Sequence, residues 1–258
     1  MYIHFQFPIE LTDWKSLRNK LKLSFVSGVV CNSYFTKYFI DREFGINSRV
    51  LYPPVIIKNN TQIKKENIIL NVGRLHVDKN GSNYKKQDIM IKTFREMIDD
   101  GLKNWELVIV VGIRSEDKTS VNKIKEMSEG YPIKIIENPS NEKLWESYSK
   151  AKIYWHATGF GEDLEKYPER AEHFGISTVE AMGSGVVPVV INAGGQKEIV
   201  ENGKSGFLWN TLKDLVTRTN NLIKDKKLLE EMSIDAVNKS KVFSGERFCN
   251  DLKNLIRQ

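Results

Sequence analysis

The stretch EHFGISTVEAMGSGVVPVVINAGGQKE, residues 172–198, decides the fold of this 258-residue chain. Apolar residues recur at helical spacing from Phe174 to Met182, which predicts a helix over 174–183. The run VVPVVI that follows is apolar throughout, as in a strand buried on both faces. A Gly194-Gly195 turn then leads into another helical segment. This order predicts one repeat of a parallel α/β sheet.

The same alternation extends outward through most of the chain. Strands are expected at IILNV (68–72), ELVIVV (106–111), IKIIE (133–137), KIYWHA (152–157) and VVPVVI (186–191), with helices at 86–99, 116–129, 141–151, 174–183 and 196–202. Three more helices are expected at 212–224, 227–239 and 245–257. Because the strands are apolar throughout, the pattern predicts a doubly wound parallel sheet with helices on both faces, a Rossmann-like α/β domain.

The first fifty residues do not follow this rhythm. Residues 13–25 are predicted to form a basic amphipathic helix, FVSGVVCNS (25–33) a buried strand that ends in a polar turn, and residues 34–44 a second helix. The segment VLYPPVI is predicted to be an extended linker, since each proline disfavours helix before it. With so little chain before it, the strand in 25–33 is expected to lack sheet neighbours and to expose an apolar edge.

The composition is that of a soluble globular protein, with 40% hydrophobic and 28% charged residues. No run approaches the roughly 18 apolar residues of a membrane span, which predicts a cytoplasmic protein. The net charge is +6, but lysines are mixed with acids, as on a solvated helical face, so no nucleic-acid partner is expected. Peripheral contact with the inner face of a membrane through the basic segment 13–25 stays open.

The helix predicted after Phe174 should begin with an anion site. Gly175, Ser177 and Thr178 fall in its first turn, where unpaired N–H groups and the helix dipole favour a phosphate. Glu172 precedes this turn and Glu180 follows it, so the two carboxylates bracket the phosphate site. That separation argues against the converging carboxylates of a glycoside hydrolase. No metal site is expected, because the chain has no Asp-x-Asp pair.

The order of these motifs carries a resemblance. Glu-x-Phe-Gly, a second Glu after seven residues, Gly-x-x-Pro-Val-Val, Gly-Gly-x-x-Glu-Ile-Val and Gly-x-x-Gly together resemble the donor-binding half of retaining glycosyltransferases of family 4, which have the GT-B fold. The resemblance covers the chain from about Val30 onward. With His173 directly after Glu172, the motif is more similar to that of the subgroup containing the dolichol-linked oligosaccharide alpha-1,2-mannosyltransferase and its bacterial relatives.

The resemblance implies a division of the chain. Residues 1–50 would be a remnant of the acceptor domain with its linker, and residues 51–242 the nucleotide-sugar-binding domain. Residues 243–258 would form a helix that packs back toward the N-terminal domain. The residues with which this family positions the acceptor, and one further helper residue, are expected to be missing.

The resemblance also implies roles for the site residues. Arg74, after Gly73, and Lys85 would bind the donor phosphates and stabilise the departing diphosphate, with Lys79 as a competitor for the place of Lys85. Glu172 would contact the donor sugar and Glu180 the ribose. The remaining donor contacts would be backbone N–H groups of Phe174 and Gly175, and pyrophosphate contacts from Ser177 and Thr178. Beyond the donor itself, no cofactor is implied.

The activity implied is retaining transfer of a hexose from GDP-mannose or a UDP-sugar to a saccharide or lipid-linked acceptor. Two alternatives stay open: a non-catalytic donor-binding subunit that needs a separate acceptor-domain chain, and a basic module that binds membranes or nucleic acids.

For four neighbouring features, the sequence alone predicts no direct part in catalysis. His156, at the end of an apolar strand, is expected to be structural, and His173 receives no catalytic role. The acidic segment GFGEDLEKYPERAE (159–172) is either a surface loop or a lid over the donor. Glu198 is expected to cap the helix that follows the Gly-Gly turn.

Overall fold

The computed structural model describes residues 1–8, 25–58, 63–75, 83–114 and 117–257. The helix expected over residues 13–25 lies outside the described residues except for Phe25, and Lys79 lies outside them as well.

A six-stranded, fully parallel sheet forms the centre of the larger part of the fold. Its strands are β4 (Ile68–Arg74), β5 (Glu106–Gly112), β6 (Ile133–Glu137), β7 (Ile153–His156), β8 (Val187–Ile191) and β9 (Phe207–Trp209). Their spatial order is β6-β5-β4-β7-β8-β9, with chain order reversing between β4 and β7. The predicted doubly wound α/β fold is confirmed, and ligands of such sheets bind where the order reverses.

Helices cover both faces of this sheet. In chain order the helices of the described residues are α1 (Tyr34–Phe44), α2 (Gln87–Asp99), α3 (Lys118–Ser128), α4 (Asn141–Lys150), α5 (Ile176–Gly183), α6 (Gln196–Ile199), α7 (Leu212–Lys224), α8 (Lys226–Ser240) and α9 (Gly245–Ile256). Helices α1 and α9 pack instead against the N-terminal strands described below. Helix α5 begins two residues later than predicted, because Gly175 has a φ of 121°, outside the helical range. The hydrophobic core accordingly has two layers: Trp155 of β7 packs with Phe94 on one face, and its neighbour Tyr154 belongs to the layer on the other.

A second, three-stranded parallel sheet contains β1 (Tyr2–Phe5), β2 (Gly28–Cys31) and β3 (Arg49–Val50), in the order β1-β2-β3. The expectation that β2 would lack sheet neighbours is therefore wrong. Strand β1 was missed because four residues at the chain start carry no turn signal to delimit them. Strand β3 was missed because its two residues run directly into the proline-containing linker.

The last helix lies against this small sheet. The hydroxyl of Tyr2 donates to the backbone carbonyl of Leu255 over 2.9 Å, and the Leu255 side chain packs with Val30 and Leu51. These contacts join the chain start, the linker and α9 in one apolar cluster.

Glu198 connects the two sheets rather than capping its own helix. It lies within α6, and its two carboxylate oxygens accept hydrogen bonds from the backbone N–H groups of Tyr34 and Phe35, each over 2.8 Å. Those N–H groups open α1, so the carboxylate caps a helix more than 160 positions away in sequence. The expectation that Glu198 caps the helix after the Gly-Gly turn is therefore wrong. Tertiary packing brings the unpaired N–H groups of α1 to its carboxylate instead.

Replacing this carboxylate should loosen the small sheet from the large one. Glu198→Ala removes two charge-assisted hydrogen bonds, and we expect the free energy of unfolding to fall by about 1–2 kcal/mol. Glu198→Gln, which keeps one acceptor oxygen, should lie between that value and the wild type. Urea denaturation measures both, with Glu230→Ala at an exposed position of α8 as the control. Equal losses in Glu198→Ala and the control would contradict the prediction.

Candidate functional site

A cleft of about 710 Å³ lies between the two sheets, at the carboxyl ends of their strands. The large sheet contributes Arg74, which ends β4, and the segment from Glu172 to Ser177. The small sheet contributes His4 and Gln6, at and just beyond β1. Side chains of the first eight residues therefore supply part of the wall opposite the large sheet. Sequence reasoning missed them together with β1.

Glu172 sits at the centre of a network of close polar contacts. Lys85 Nζ lies 2.7 Å from Glu172 Oε2, and His156 Nε2 lies 3.2 Å from the same oxygen. The ends of β7 and of the loop before α2 bring these two donors together, although 71 positions separate them in sequence. Sequence reasoning treated His156 as structural, yet it lines the cleft and contacts Glu172.

The electrostatics of this network favour an ionised Glu172. Burial alone would raise the pKa of the Glu172 carboxyl, but the Lys85 charge and the hydrogen bond from His156 outweigh it and hold that pKa well below its usual range. Burial lowers the pKa of His156, an effect that the charge of Lys85 reinforces and Glu172 opposes. At neutral pH the group is therefore an ammonium and a neutral imidazole around a carboxylate.

The start of α5 has no side-chain cap. Gly175 occupies the N-cap position without a side-chain hydrogen bond, and Ile176 and Ser177 of the first turn line the cleft. The Ser177 hydroxyl accepts a hydrogen bond from the Tyr154 hydroxyl over 2.9 Å. Thr178 is completely buried and does not line the cleft, so its expected side-chain contact with pyrophosphate has no support in this structure. At its place in the helical turn the hydroxyl faces the protein interior.

Glu180 lines the cleft one turn further along α5. The hydroxyl of the buried Tyr148 donates to Glu180 Oε2 over 2.9 Å. Burial raises the pKa of this carboxyl, and the hydrogen bond from Tyr148 opposes that rise. Glu172 and Glu180 therefore differ in charge environment, since only Glu172 has a cationic partner among the residues that the structure describes.

Two further residues beside Arg74 line the cleft and were not found from the sequence. Arg114 follows β5, which pairs with β4. Its position after the carboxyl end of a predicted strand could have indicated, from the sequence alone, that it lies near the site. Gln87, the first residue of α2, is fully buried and donates its side-chain amide to the Arg74 carbonyl over 3.2 Å. This bond fixes the loop that carries Arg74 to the start of α2.

The Gly194-Gly195 turn lies directly under the Glu172 segment. The Gly195 N–H donates to the Glu172 carbonyl over 2.8 Å. A Cβ at Gly194 would lie 3.2 Å from the Glu172 carbonyl carbon, and one at Gly195 2.5 Å from Phe174 Cα. Only glycine permits this approach of the two backbones.

Ion pairs and stacking contacts anchor the acidic loop 159–171 to neighbouring segments. Glu162 pairs with Lys86 at 2.6 Å and with Arg170 at 2.8 Å. The Arg170 guanidinium stacks over Tyr84 and Tyr167. These contacts tie the loop to the segment that carries Lys85.

Within the described parts of the chain, no group of three or more His, Cys, Asp or Glu side chains is placed to hold a metal ion. Over the same residues, no helix is long and apolar enough to cross a membrane.

The fold and the cleft define a parallel α/β protein whose site lies at the carboxyl ends of its strands, as in nucleotide-binding proteins. Residues 55–239 match the family described as "Glycosyl transferases group 1". The chain belongs to this family.

A curated relative is the Dictyostelium discoideum protein "GDP-Man:Man(3)GlcNAc(2)-PP-Dol alpha-1,2-mannosyltransferase", 26% identical over 255 residues, covering 92% of this chain and 47% of the relative. The chain thus spans about half the length of that relative.

Solved structures of glycosyltransferases share the fold. Anabaena Alr3699/HepE in complex with UDP and glucose superposes with a TM-score of 0.74 at 18% identity, covering 100% of this chain and 71% of the other. A glycosyltransferase from Rickettsia africae superposes with a TM-score of 0.76 at 16% identity, covering 98% and 69%. At these identities the likeness establishes the fold alone.

Proposed function

We propose that this chain binds a nucleotide-activated hexose and takes part in its retaining transfer to a saccharide or lipid-linked acceptor. The observation that carries the proposal is the ionised Glu172, held by Lys85 and His156 beside the uncapped start of α5. A helix start attracts a phosphate, and an adjacent carboxylate accepts hydrogen bonds from sugar hydroxyls. A nucleotide sugar carries both groups a few atoms apart.

The proposed roles follow the distribution of charge in the cleft. Arg74 would bind the donor phosphates, and Lys85 would serve both the Glu172 carboxylate and the diphosphate that departs. Glu180 would accept from the ribose, with Tyr148 fixing its orientation. The Gly73 backbone, the N–H groups of Phe174 and Gly175 and the Ser177 hydroxyl complete the donor site.

The acceptor would enter from the side of the small sheet. His4 and Gln6 face the cleft from that side and supply polar groups for an acceptor hydroxyl. The Dictyostelium relative's name gives GDP-Man as donor and a PP-Dol-linked glycan as acceptor, which supports a GDP-sugar and a lipid-linked saccharide as first candidates here. A lipid-linked acceptor would bring the protein to a membrane surface.

Donor binding can be tested without knowing the acceptor. A thermal-shift panel of GDP-mannose, UDP-glucose, UDP-N-acetylglucosamine, GDP and UDP should show selective stabilisation by one nucleotide series. A ligand at a hundred times its dissociation constant stabilises by about 2.7 kcal/mol. No shift with any of these ligands, confirmed by calorimetry, would refute the proposal.

Arg74→Ala should weaken binding of the preferred nucleoside diphosphate. Loss of one charge-assisted hydrogen bond costs about 1.5–3 kcal/mol, which corresponds to roughly 10- to 150-fold in the dissociation constant. Isothermal titration measures the change, with Arg218→Ala on α7, whose guanidinium stacks on Phe207, as the control. Unchanged affinity in Arg74→Ala would remove Arg74 from the donor site.

A further inference from the structure

His156 is almost completely buried at the edge of the cleft. It is the last residue of β7, pairs in register with Val190 of β8, and has a side chain that is 4% exposed. Its Nε2 points to Glu172 Oε2, with the Thr158 hydroxyl 3.1 Å from the same nitrogen. Packing in the core alone does not require this nitrogen to face a carboxylate in the cleft. The contact with Glu172 therefore indicates a role beyond packing.

The position of the imidazole proton follows from its partners. The Glu172 carboxylate is ionised and can only accept, so Nε2 must carry the hydrogen. Since the ring is neutral, Nδ1 is then an unprotonated acceptor, and it is buried without a partner among the described residues. The ring thus has one tautomer, and it donates toward Glu172.

Both donors hold the same oxygen of Glu172. Lys85 and His156 contact Oε2, whereas no described residue donates a hydrogen bond to Oε1. A carboxylate fixed through one oxygen presents the other in a constant direction. Lys85 is a flexible chain that would also have to serve the diphosphate, so the rigid contact is the one from His156.

We infer that His156 is a positioning residue that fixes Glu172 through Oε2, so that Oε1 is presented to a hydroxyl of the donor hexose. The inference rests on the proposed function and assigns to His156 the part of donor affinity that comes from the sugar. The part that comes from the nucleoside diphosphate should not depend on this residue, since no contact joins His156 to Arg74.

The test separates these two parts of the affinity. Dissociation constants of the preferred nucleoside diphosphate and of the matching nucleotide sugar are measured by titration for the wild type and three variants. His156→Leu removes the donor. His156→Gln places an amide N–H near the position of Nε2, and His156→Asn places it near Nδ1, away from Glu172.

We expect the wild type and His156→Gln to bind the nucleotide sugar more tightly than the diphosphate. His156→Leu and His156→Asn should lose this preference, by roughly tenfold or more, while their affinity for the diphosphate stays within about twofold of wild type. If the leucine variant does not fold, the glutamine and asparagine pair decides the question.

Retention of the sugar preference in a folded His156→Leu or in His156→Asn would overturn the inference, and so would its loss in His156→Gln. Equal weakening of both ligands would show that His156 only supports the fold. A wild type that binds neither ligand would refute the proposed function and this inference with it.

Discussion

Lys85→Met is expected to lower the free energy of unfolding by about 1–3 kcal/mol at pH 7, and by less as the pH falls toward 4. The variant keeps the length of the side chain but leaves the half-buried Glu172 carboxylate without its cation, 2.7 Å away in the wild type. Because Lys85 and His156 hold the pKa of Glu172 well below its ordinary value, the pair stabilises the fold fully above about pH 4.5. That stabilisation is lost progressively as the pH falls from there toward the lowered pKa of Glu172.

Protonation of His156 contributes to the same pH dependence. In the wild type the charge of Lys85 adds to the burial that lowers the pKa of His156. Without Lys85, a protonated His156 can pair with Glu172, so the difference between variant and wild type should shrink as the solution is acidified.

Urea denaturation from pH 8 to pH 4 measures the effect. Glu172→Gln and the double variant complete a mutant cycle, whose coupling energy should be largest at neutral pH. Lys134→Met is the matched control, since its ion pair with Glu106 involves a well-exposed lysine. A difference that grows as the solution is acidified would be incompatible with this account of the pair.

The large sheet could be predicted because five of its six strands, β4 to β8, carry their own signal. Continuous apolar runs such as 107–111 can be buried only with helices on both faces, whatever lies elsewhere in the chain. The N-terminal strands carry no such signal. Strand β1 is four residues long and β3 two, and both are defined by pairing with β2 rather than by their own composition.

The site was predictable where chemistry depends on local backbone, and not where it depends on contacts between distant residues. Glu172, Gly175 and Ser177 lie within six positions, and their motif places all of them in the cleft. His156 and Glu198 act on groups 16 and more than 160 positions away. Nothing in the neighbouring sequence distinguishes either from a structural residue.

Thr178 illustrates the limit of a local argument. It belongs to the same first turn as Ser177, but one step along a helix rotates a side chain by about 100°, and here that step turns it into the core. The motif identifies the turn, whereas packing decides which hydroxyl of that turn reaches the cleft.

Gly195→Ala is expected to disrupt the site more than any change of a side chain that lines it. Gly195 has a φ of −67°, which alanine adopts readily, so the backbone conformation itself poses no obstacle. The obstacle is contact: a Cβ there would lie 2.7 Å from the His173 carbonyl oxygen and 2.5 Å from Phe174 Cα, and would also meet the Phe174 carbonyl oxygen. All three are backbone atoms of the segment that carries Glu172, and they cannot rotate away.

We therefore expect the segment from Glu172 to Gly175 to be displaced, breaking the 2.8 Å hydrogen bond between the Gly195 N–H and the Glu172 carbonyl. Overpacking of this kind costs about 1–3 kcal/mol of stability. The larger effect should fall on nucleotide-sugar binding, because Glu172, the α5 start and the backbone of Phe174 move together. A displacement of about 1 Å can also cost about a hundredfold in the rate of a reaction that depends on orientation.

Gly245→Ala is the matched control, since a Cβ at that glycine meets nothing within 4 Å. Thermal unfolding and nucleotide-sugar titration of the two variants decide the prediction. If Gly195→Ala bound donor as tightly as Gly245→Ala, the close backbone approach would have no role in shaping the site. Loss of binding with a folded Gly195→Ala protein would instead show that the Gly-Gly turn determines where Glu172 lies, although neither glycine contributes a side chain to the cleft.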